Sequence, residues 1–328
     1  MTPPAVSVLI PTYNRAALLP GTLTSVFDQT LPPDEVILVD DGSTDDTAQV
    51  VRTLLEENPN WAPRLRYMYQ PNRGKSEALN TAMAHVRHEW IAFNDSDDTW
   101  RPDKLERQFQ ALRRFPECQA SFTETTTNEF ATAHPELTAA ARDSFGTLDD
   151  PSRLFPSHWP GIYMQTIVVR ADTMARCGPF DPEYRVSQDV DFMFRLGLLT
   201  PFCYCDLPLV FINRDPARPH GLIETYPPAG RAALLEEVSR LDKWTTMLRG
   251  SHPHLQAIIR ASMKTTRSGL ANACILAGDV QAARQVLSDG LRECPSLPLL
   301  AKYLAAWSFP VLLKQWAVNR SPLRVQSS

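Results

Sequence analysis

VSVLIPTYNRAALLPGTLTSVFDQTLPPDEVILVDDGSTDDTAQVV, residues 6–51, decides the fold class of this 328-residue chain. It opens on an unbroken apolar run, Val6–Ile10, and breaks at Pro11 into polar residues. Leu18, Leu19, Leu23, Val26 and Phe27 then recur as one face of a helix. Glu35–Asp40 repeats the apolar run, and Thr44–Glu57 repeats the helical pattern. Strands that are apolar on both faces, alternating with amphipathic helices, predict a parallel sheet covered on both sides. Leu65–Gln70, Ser76–Val86 and Trp90–Asn94 continue the alternation. Ligands of such sheets bind beyond the carboxyl ends of the strands, and the polar motifs of this chain stand there.

Further along, 123–160 is rich in Thr, Ala and Pro with weak periodicity, and reads as a long irregular connection. Gln165–Arg170 predicts a strand, Asp189–Leu199 a helix and Leu207–Asn213 another strand. After Pro219 the pattern is helical, punctuated at Gly250, Pro253, Gly278, Pro295 and Pro310. The expected division is therefore an α/β domain over 1–215 and an all-α extension over 216–328. Within the extension, ANACILAGDVQAARQVLSDGLRECP (271–295) pairs two short helices around Gly278, like a single tetratricopeptide unit. A lone unit must pack on a neighbour to bury its apolar face.

A hydrophobic fraction of 43% and a charged fraction of 21% are ordinary for a globular protein. A net charge of −4 argues against a nucleic-acid partner or a polybasic anchor. The six cysteines form no CxxC pair, which predicts reduced thiols and no zinc site. No signal-peptide pattern is visible, and the apolar tract from Leu297 to Trp316 is interrupted by Pro298, Lys302, Pro310 and Lys314. The expected location is the cytoplasm, or the cytoplasmic face of a membrane.

Four motifs carry candidate chemistry. In IAFNDSDDTW (91–100), Asp95 and Asp97 lie two apart at a strand end, so an extended backbone points both carboxylates one way. A hard divalent cation shared with a diphosphate needs that arrangement. Asp98 adds an orienting carboxylate; the competing reading is a cap for the helix beginning near Pro102. In VILVDDGSTDDT (36–47), Asp40 is placed to accept from a pyrimidine imide N–H, with Asp41 or Ser43 holding the turn. Capping of the next helix explains Asp45 and Asp46. In IPTYNR (10–15), Pro11, Thr12 and Tyr13 can wall a base or ribose, or form an ordinary turn with Asn14 as helix cap. In NRGKSEALN (72–80), Lys75 opens a helix, where a cation is poorly placed unless an anion such as pyrophosphate binds.

In this order, VSVLIPTYNR, VILVDDGSTDDT, NRGKSEALNTAM, WIAFNDSDDTW and FDPEYRVSQDVDFMFRL resemble the family 2 glycosyltransferases over roughly residues 5–215. The resemblance implies an α/β GT-A fold, a nucleoside-diphosphate sugar donor with UDP as the default, and inversion at the anomeric carbon. It implies that Asp40 contacts the nucleobase and that Asp95 and Asp97 bind Mn²⁺ or Mg²⁺. Asp41, Lys75 and Ser96 then complete the donor site with Pro11, Thr12 and Tyr13. QDVD matches the family's Glu-Asp segment, so Asp189 falls on the catalytic base; by sequence alone Asp191 competes for that role. Gln188 stands where the family usually has Glu, Met193 where Trp is common, and Leu79 where Arg is common, which leaves a phosphate role to Lys75. Arg214 and His220 match a loop that closes over the pyrophosphate.

The partners implied are a nucleotide-sugar donor and a glycan, lipid-linked or protein acceptor. The C-terminal helices could pack on the catalytic domain or touch a membrane through Trp307, Phe309, Leu312, Leu313 and Trp316, with Lys314, Arg320 and Arg324 at the headgroups. The alternative function is a catalytically degenerate scaffold on the same fold. A dinucleotide dehydrogenase is excluded by the missing GxGxxG after the first strand. A nucleotidyltransferase would want a Gly-rich basic loop where IPTYNR stands.

Overall fold

A computed structural model describes residues 4–126, 145–156, 161–213, 230–293 and 295–308. The chain divides into two compact units, Met1–Pro216 and Ala217–Ser328.

In the first unit, the described residues form one sheet of nine strands. β1 (Val6–Thr12), β2 (Glu35–Asp40), β3 (Leu65–Tyr69) and β4 (Trp90–Phe93) are parallel, in spatial order β3-β2-β1-β4. Val8 lies opposite Val36 on one side and Ala92 on the other, so β1 is buried along its whole length. Between these strands run α1 (Leu19–Phe27), α2 (Thr47–Glu57) and α3 (Lys75–Met83). Leu19, Leu23 and Val26 of α1 and Val51 of α2 pack on Val6, Val8, Ile10, Val36 and Leu38. Each such side chain contributes about 1.5–3 kcal/mol by leaving water.

Beyond β4 the sheet becomes mixed. After β5 (Thr99–Trp100) and α4 (Lys104–Arg114) come β6 (Ala120–Thr125), β7 (Phe145–Leu148) and β8 (Val168–Arg170). The unit's described elements end with α5 (Ala171–Cys177), α6 (Gln188–Gly197) and β9 (Phe202–Phe211). β8 is antiparallel to β4 and β6; β9 runs parallel to β6 and antiparallel to β5 and β7.

Several local expectations shift. The stretch expected to be irregular over 123–160 includes the end of β6 and all of β7. Gln165–Arg170 splits into a 3-10 turn, Met164–Thr166, and the short β8. β9 begins five residues before the expected strand, at Phe202. α2 begins at Thr47, because the residues before it are held in a turn: Asn14 Oδ1 accepts from Thr44 N at 2.8 Å. Asn14 therefore holds the second loop and does not cap α1, whose first residue is Leu19.

The second unit is helical in its described residues: α7 (Arg231–Met247), α8 (Pro253–Leu276), α9 (Val280–Glu293) and α10 (Leu297–Ser308). The pair around Gly278 buries Leu270, Ala271, Cys274 and Ile275 against Ala283 and Leu287. Its first helix is 24 residues long, not a short repeat helix. No helix among the described residues is long and apolar enough to cross a membrane. The five described cysteines are buried, and none of them is in a disulfide.

Candidate functional site

The chain leaves β1 towards β2 and β3 on one side, then returns to β4 on the other. That reversal is the topological switch point where open α/β sheets bind ligands. Thr12 ends β1 opposite Asp40, which ends β2, and β4 delivers Asp95, Asp97 and Asp98 just past Phe93.

One oxygen from each of these three aspartates lies within 4.8 Å of the others. A set of hard carboxylate oxygens so placed fits a hard divalent cation such as Mn²⁺ or Mg²⁺. Burial and the charge of Asp95 raise the pKa of Asp97, against the pull of Arg15 and Lys75. Burial, Asp95 and Asp97 push Asp98 up to about 8. Mutual repulsion of this kind is what a bound cation relieves. Asp98 is also gripped from outside the motif: its Oδ2 accepts from Gln165 Nε2 at 2.6 Å and its Oδ1 from Asn213 N at 2.8 Å.

Two cations meet the other carboxylates. Lys75 Nζ lies 2.6 Å from Asp95 Oδ1, and Arg15 Nε lies 3.3 Å from Asp97 Oδ2. Burial lowers the Lys75 pKa, but Asp95, Asp189 and Asp97 more than offset it, so its net shift is upward. Lys75 is positioned through Asp41. The Asp41 carboxylate, 4% exposed, accepts from Gln70 Nε2, Arg73 N and Gly74 N at 2.7–2.9 Å. This fixes the loop immediately before α3. Gly42 lets that loop approach: its φ is +80°, and a Cβ there would stand 2.7 Å from Asn72 N.

The nucleoside-side candidates fall along the ends of β1 and β2. Asp40 is 1% exposed; it accepts from Ser43 N at 2.8 Å and from Tyr67 OH at 2.6 Å. Burial and Asp40 together push the Tyr67 hydroxyl upward. Pro11 is buried in β1, Tyr13 is 45% exposed, and the buried Thr12 Oγ1 makes no hydrogen bond. Ser96 is buried, its carbonyl accepting from Thr22 Oγ1 at 3.1 Å.

Asp189 occupies the first turn of α6, half-buried and within electrostatic reach of Lys75 and Asp95. Its pKa is raised, chiefly by burial, with Lys75 opposing and Asp95 adding to the rise. Asp191 is fully buried and pairs with Arg195 Nε at 2.9 Å. That contact places Asp191 in the packing of α6. Gln188 Oε1 is buried without a hydrogen bond. Arg214 and His220 lie outside the described residues.

Sequence reasoning missed Arg15, Gln165, Asn213 and Tyr67. Only Arg15 carried a signal, as the one cation in the polar segment after β1.

Residues 7–163 match the family model described as glycosyl transferase family 2. The chain is 39% identical over 121 residues to the putative teichuronic acid biosynthesis glycosyltransferase TuaG of Bacillus subtilis, covering 37% of this chain and 46% of that protein. It is 38% identical over 111 residues to chondroitin synthase of Escherichia coli, covering 34% of this chain and 16% of that one. The matched stretch thus spans less than half of either relative. Among solved structures, Staphylococcus aureus TarS 1–349 in complex with UDP-GlcNAc aligns with a TM-score of 0.62 at 16% identity, covering 96% of this chain and 90% of that one. Mannosyltransferase PcManGT from Pyrobaculum calidifontis, in complex with GDP-Man and Mn²⁺, aligns at 0.57 and 21% identity, covering 96% and 83%.

Proposed function

We propose, since residues 7–163 belong to glycosyl transferase family 2 on a GT-A fold, that this chain transfers a sugar from a nucleoside-diphosphate sugar to an acceptor hydroxyl, with inversion. The observation that carries the proposal is the meeting of Asp95, Asp97 and Asp98 at the switch point, with Lys75 and Asp189 beside them. UDP is the donor nucleotide taken first, in keeping with the UDP-GlcNAc bound by TarS. Glycan assembly is the context suggested by the names of the relatives; a glycan, a lipid-linked sugar or a protein can each present the hydroxyl.

Asp95 and Asp97 hold the divalent cation in this reading, with Asp98 fixing their loop. The cation, when bound, neutralises charge on the departing diphosphate. Lys75 lies where it can donate to diphosphate oxygens. Thr12 and Asp40, at neighbouring strand ends, face the nucleoside; Pro11 and Tyr13 flank them, and Asp41 acts by holding the Lys75 loop. Asp189 takes the proton of the acceptor hydroxyl as that oxygen attacks the anomeric carbon. Its raised pKa moves the base towards the working pH, where proton transfer is most effective. The pairing of Asp191 with Arg195 supports assigning this role to Asp189.

The test is donor turnover: the full chain is incubated with UDP-, dTDP- and GDP-sugars plus Mn²⁺, Mg²⁺ or EDTA, with nucleotide binding read on the same panel. Metal-dependent release of nucleoside diphosphate from one donor is expected. If no nucleotide binds with or without metal, the degenerate scaffold takes its place.

We further propose that the protein works in the cytoplasm, against the membrane face. On α10, Leu297, Leu300, Leu304 and Trp307 are exposed at spacings of one helical face, which supports a peripheral contact. Phe309, Leu312, Leu313, Lys314, Trp316, Arg320 and Arg324 lie outside the described residues. Flotation with anionic liposomes tests this; protein remaining at the bottom of the gradient rejects it.

A further inference from the structure

Both carboxylates assigned to the divalent cation already touch a cation of the chain. Asp95 meets Lys75 at 2.6 Å, and Asp97 meets Arg15 at 3.3 Å. Neither contact is left to a free surface rotamer. Asn14 adopts a left-handed φ of +52° and turns the chain after β1. Arg15 N then donates to Thr47 Oγ1 at 3.3 Å, and Arg15 Nη1 to the Asn14 carbonyl at 3.3 Å, which aims the guanidinium at Asp97. Lys75 is aimed by the grip of Asp41 on Arg73 N and Gly74 N. The four side chains are 25–32% exposed, so the pairs sit at the mouth of the site, open to exchange.

A divalent cation seated between Asp95 and Asp97 competes with Arg15 and Lys75 for the same oxygens. Once displaced, the guanidinium and ammonium stand beside a like charge, and both are suited to bind phosphate oxygens. A diphosphate arriving without metal meets Asp95, Asp97, Asp98 and Asp189. Each ligand therefore removes what opposes the other.

We propose that Arg15 and Lys75 are exchange cations: they pair with Asp97 and Asp95 until the divalent cation enters, then turn to the diphosphate, so that metal and nucleotide bind as a coupled pair. This rests on the donor reading above and adds to it a diphosphate-binding role for Arg15. Coupling between two ligands is reciprocal and commonly amounts to 5–150-fold.

The test titrates Mn²⁺ by electron paramagnetic resonance, with and without UDP, dTDP or GDP, on the full-length wild type and on Arg15→Met, Arg15→Lys and Lys75→Met. Circular dichroism and the melting temperature identify any variant that fails to fold; Arg15→Lys keeps the charge should Arg15→Met do so. In the wild type, a nucleoside diphosphate should tighten Mn²⁺ by about 10-fold or more. Arg15→Met should bind Mn²⁺ alone more tightly, yet lose several-fold of the coupling, with Arg15→Lys intermediate. Independent binding of the two ligands, or weaker binding of Mn²⁺ alone by Arg15→Met, overturns the exchange while leaving the donor reading intact. Failure of every nucleotide to bind overturns both.

Discussion

Lys104 offers a stability prediction with a definite sign. It opens α4 with no exposed surface, Nζ donating to Gln108 Oε1 at 2.8 Å and lying 4.0 Å from the centre of the Trp100 ring. Burial drives its pKa well below the ordinary lysine value. The fold thus holds the amine neutral at a pH where the unfolded chain protonates it. Between the folded pKa and the unfolded value of about 10.4, the unfolded state binds more protons, so stability rises with pH. The slope from this single group is up to about 1.4 kcal/mol per pH unit. Lys104→Met keeps the stem against Trp100 and removes the titration, but leaves Gln108 Oε1 without its donor at a cost of about 1–3 kcal/mol. The absolute change at one pH mixes these opposing effects; the slope isolates the charge. Urea unfolding of both proteins from pH 6.5 to 9.5, comparing midpoints at constant m, reads it directly. Stability of the wild type relative to the variant should climb with pH and be lost again as pH falls towards the depressed pKa. Parallel curves across the range would mean that Lys104 is charged in the fold, and the reasoning would fail.

Asp189→Asn should lower kcat by about 10²–10⁴-fold while nucleotide binding is retained, as measured by calorimetry beside steady-state rates. Since burial raises the Asp189 pKa, the acidic limb of the wild-type kcat profile should lie above the usual aspartate range, with activity rising as pH increases through it; a limb at ordinary carboxylate pH counts against Asp189 as the base. Gly42→Ala forces a side chain into a φ of +80° and a Cβ to 2.7 Å from Asn72 N, so a loss of at least about 1–3 kcal/mol is expected in chemical unfolding. Proton NMR of the first-formed product should show the anomeric configuration opposite to that of the donor, and retention would exclude the single displacement.

The sheet was legible because β1 and β2 are buried on both faces, which leaves an uninterrupted apolar signature. The carboxylate cluster was legible as a group of aspartates past an apolar strand, but what gathers it is a turn, not strand alternation: β4 ends at Phe93, and Asp98 N donates to the Asp95 carbonyl at 3.2 Å. Contacts from distant residues were not legible. Arg15 reaches Asp97 across 82 positions and Asn213 reaches Asp98 across 115, and no local pattern encodes either. Asp41 reads in the sequence both as a residue that holds the turn and as a donor contact, because an aspartate at a strand end looks the same whether its oxygens accept from a ligand or from backbone N–H groups. β7 escaped notice because FGTL is four residues long and takes its place through pairing with β9.

The most direct measurement of the central claim compares Asp97→Ala and Asp189→Asn with the wild type, on the donor that turns over, in Mn²⁺ and in EDTA. Asp97→Ala should lose metal-dependent nucleotide binding and release together, whereas Asp189→Asn should keep binding and lose release. Wild-type rates in Asp97→Ala, or full activity in EDTA, would contradict a metal-assisted transfer at this site.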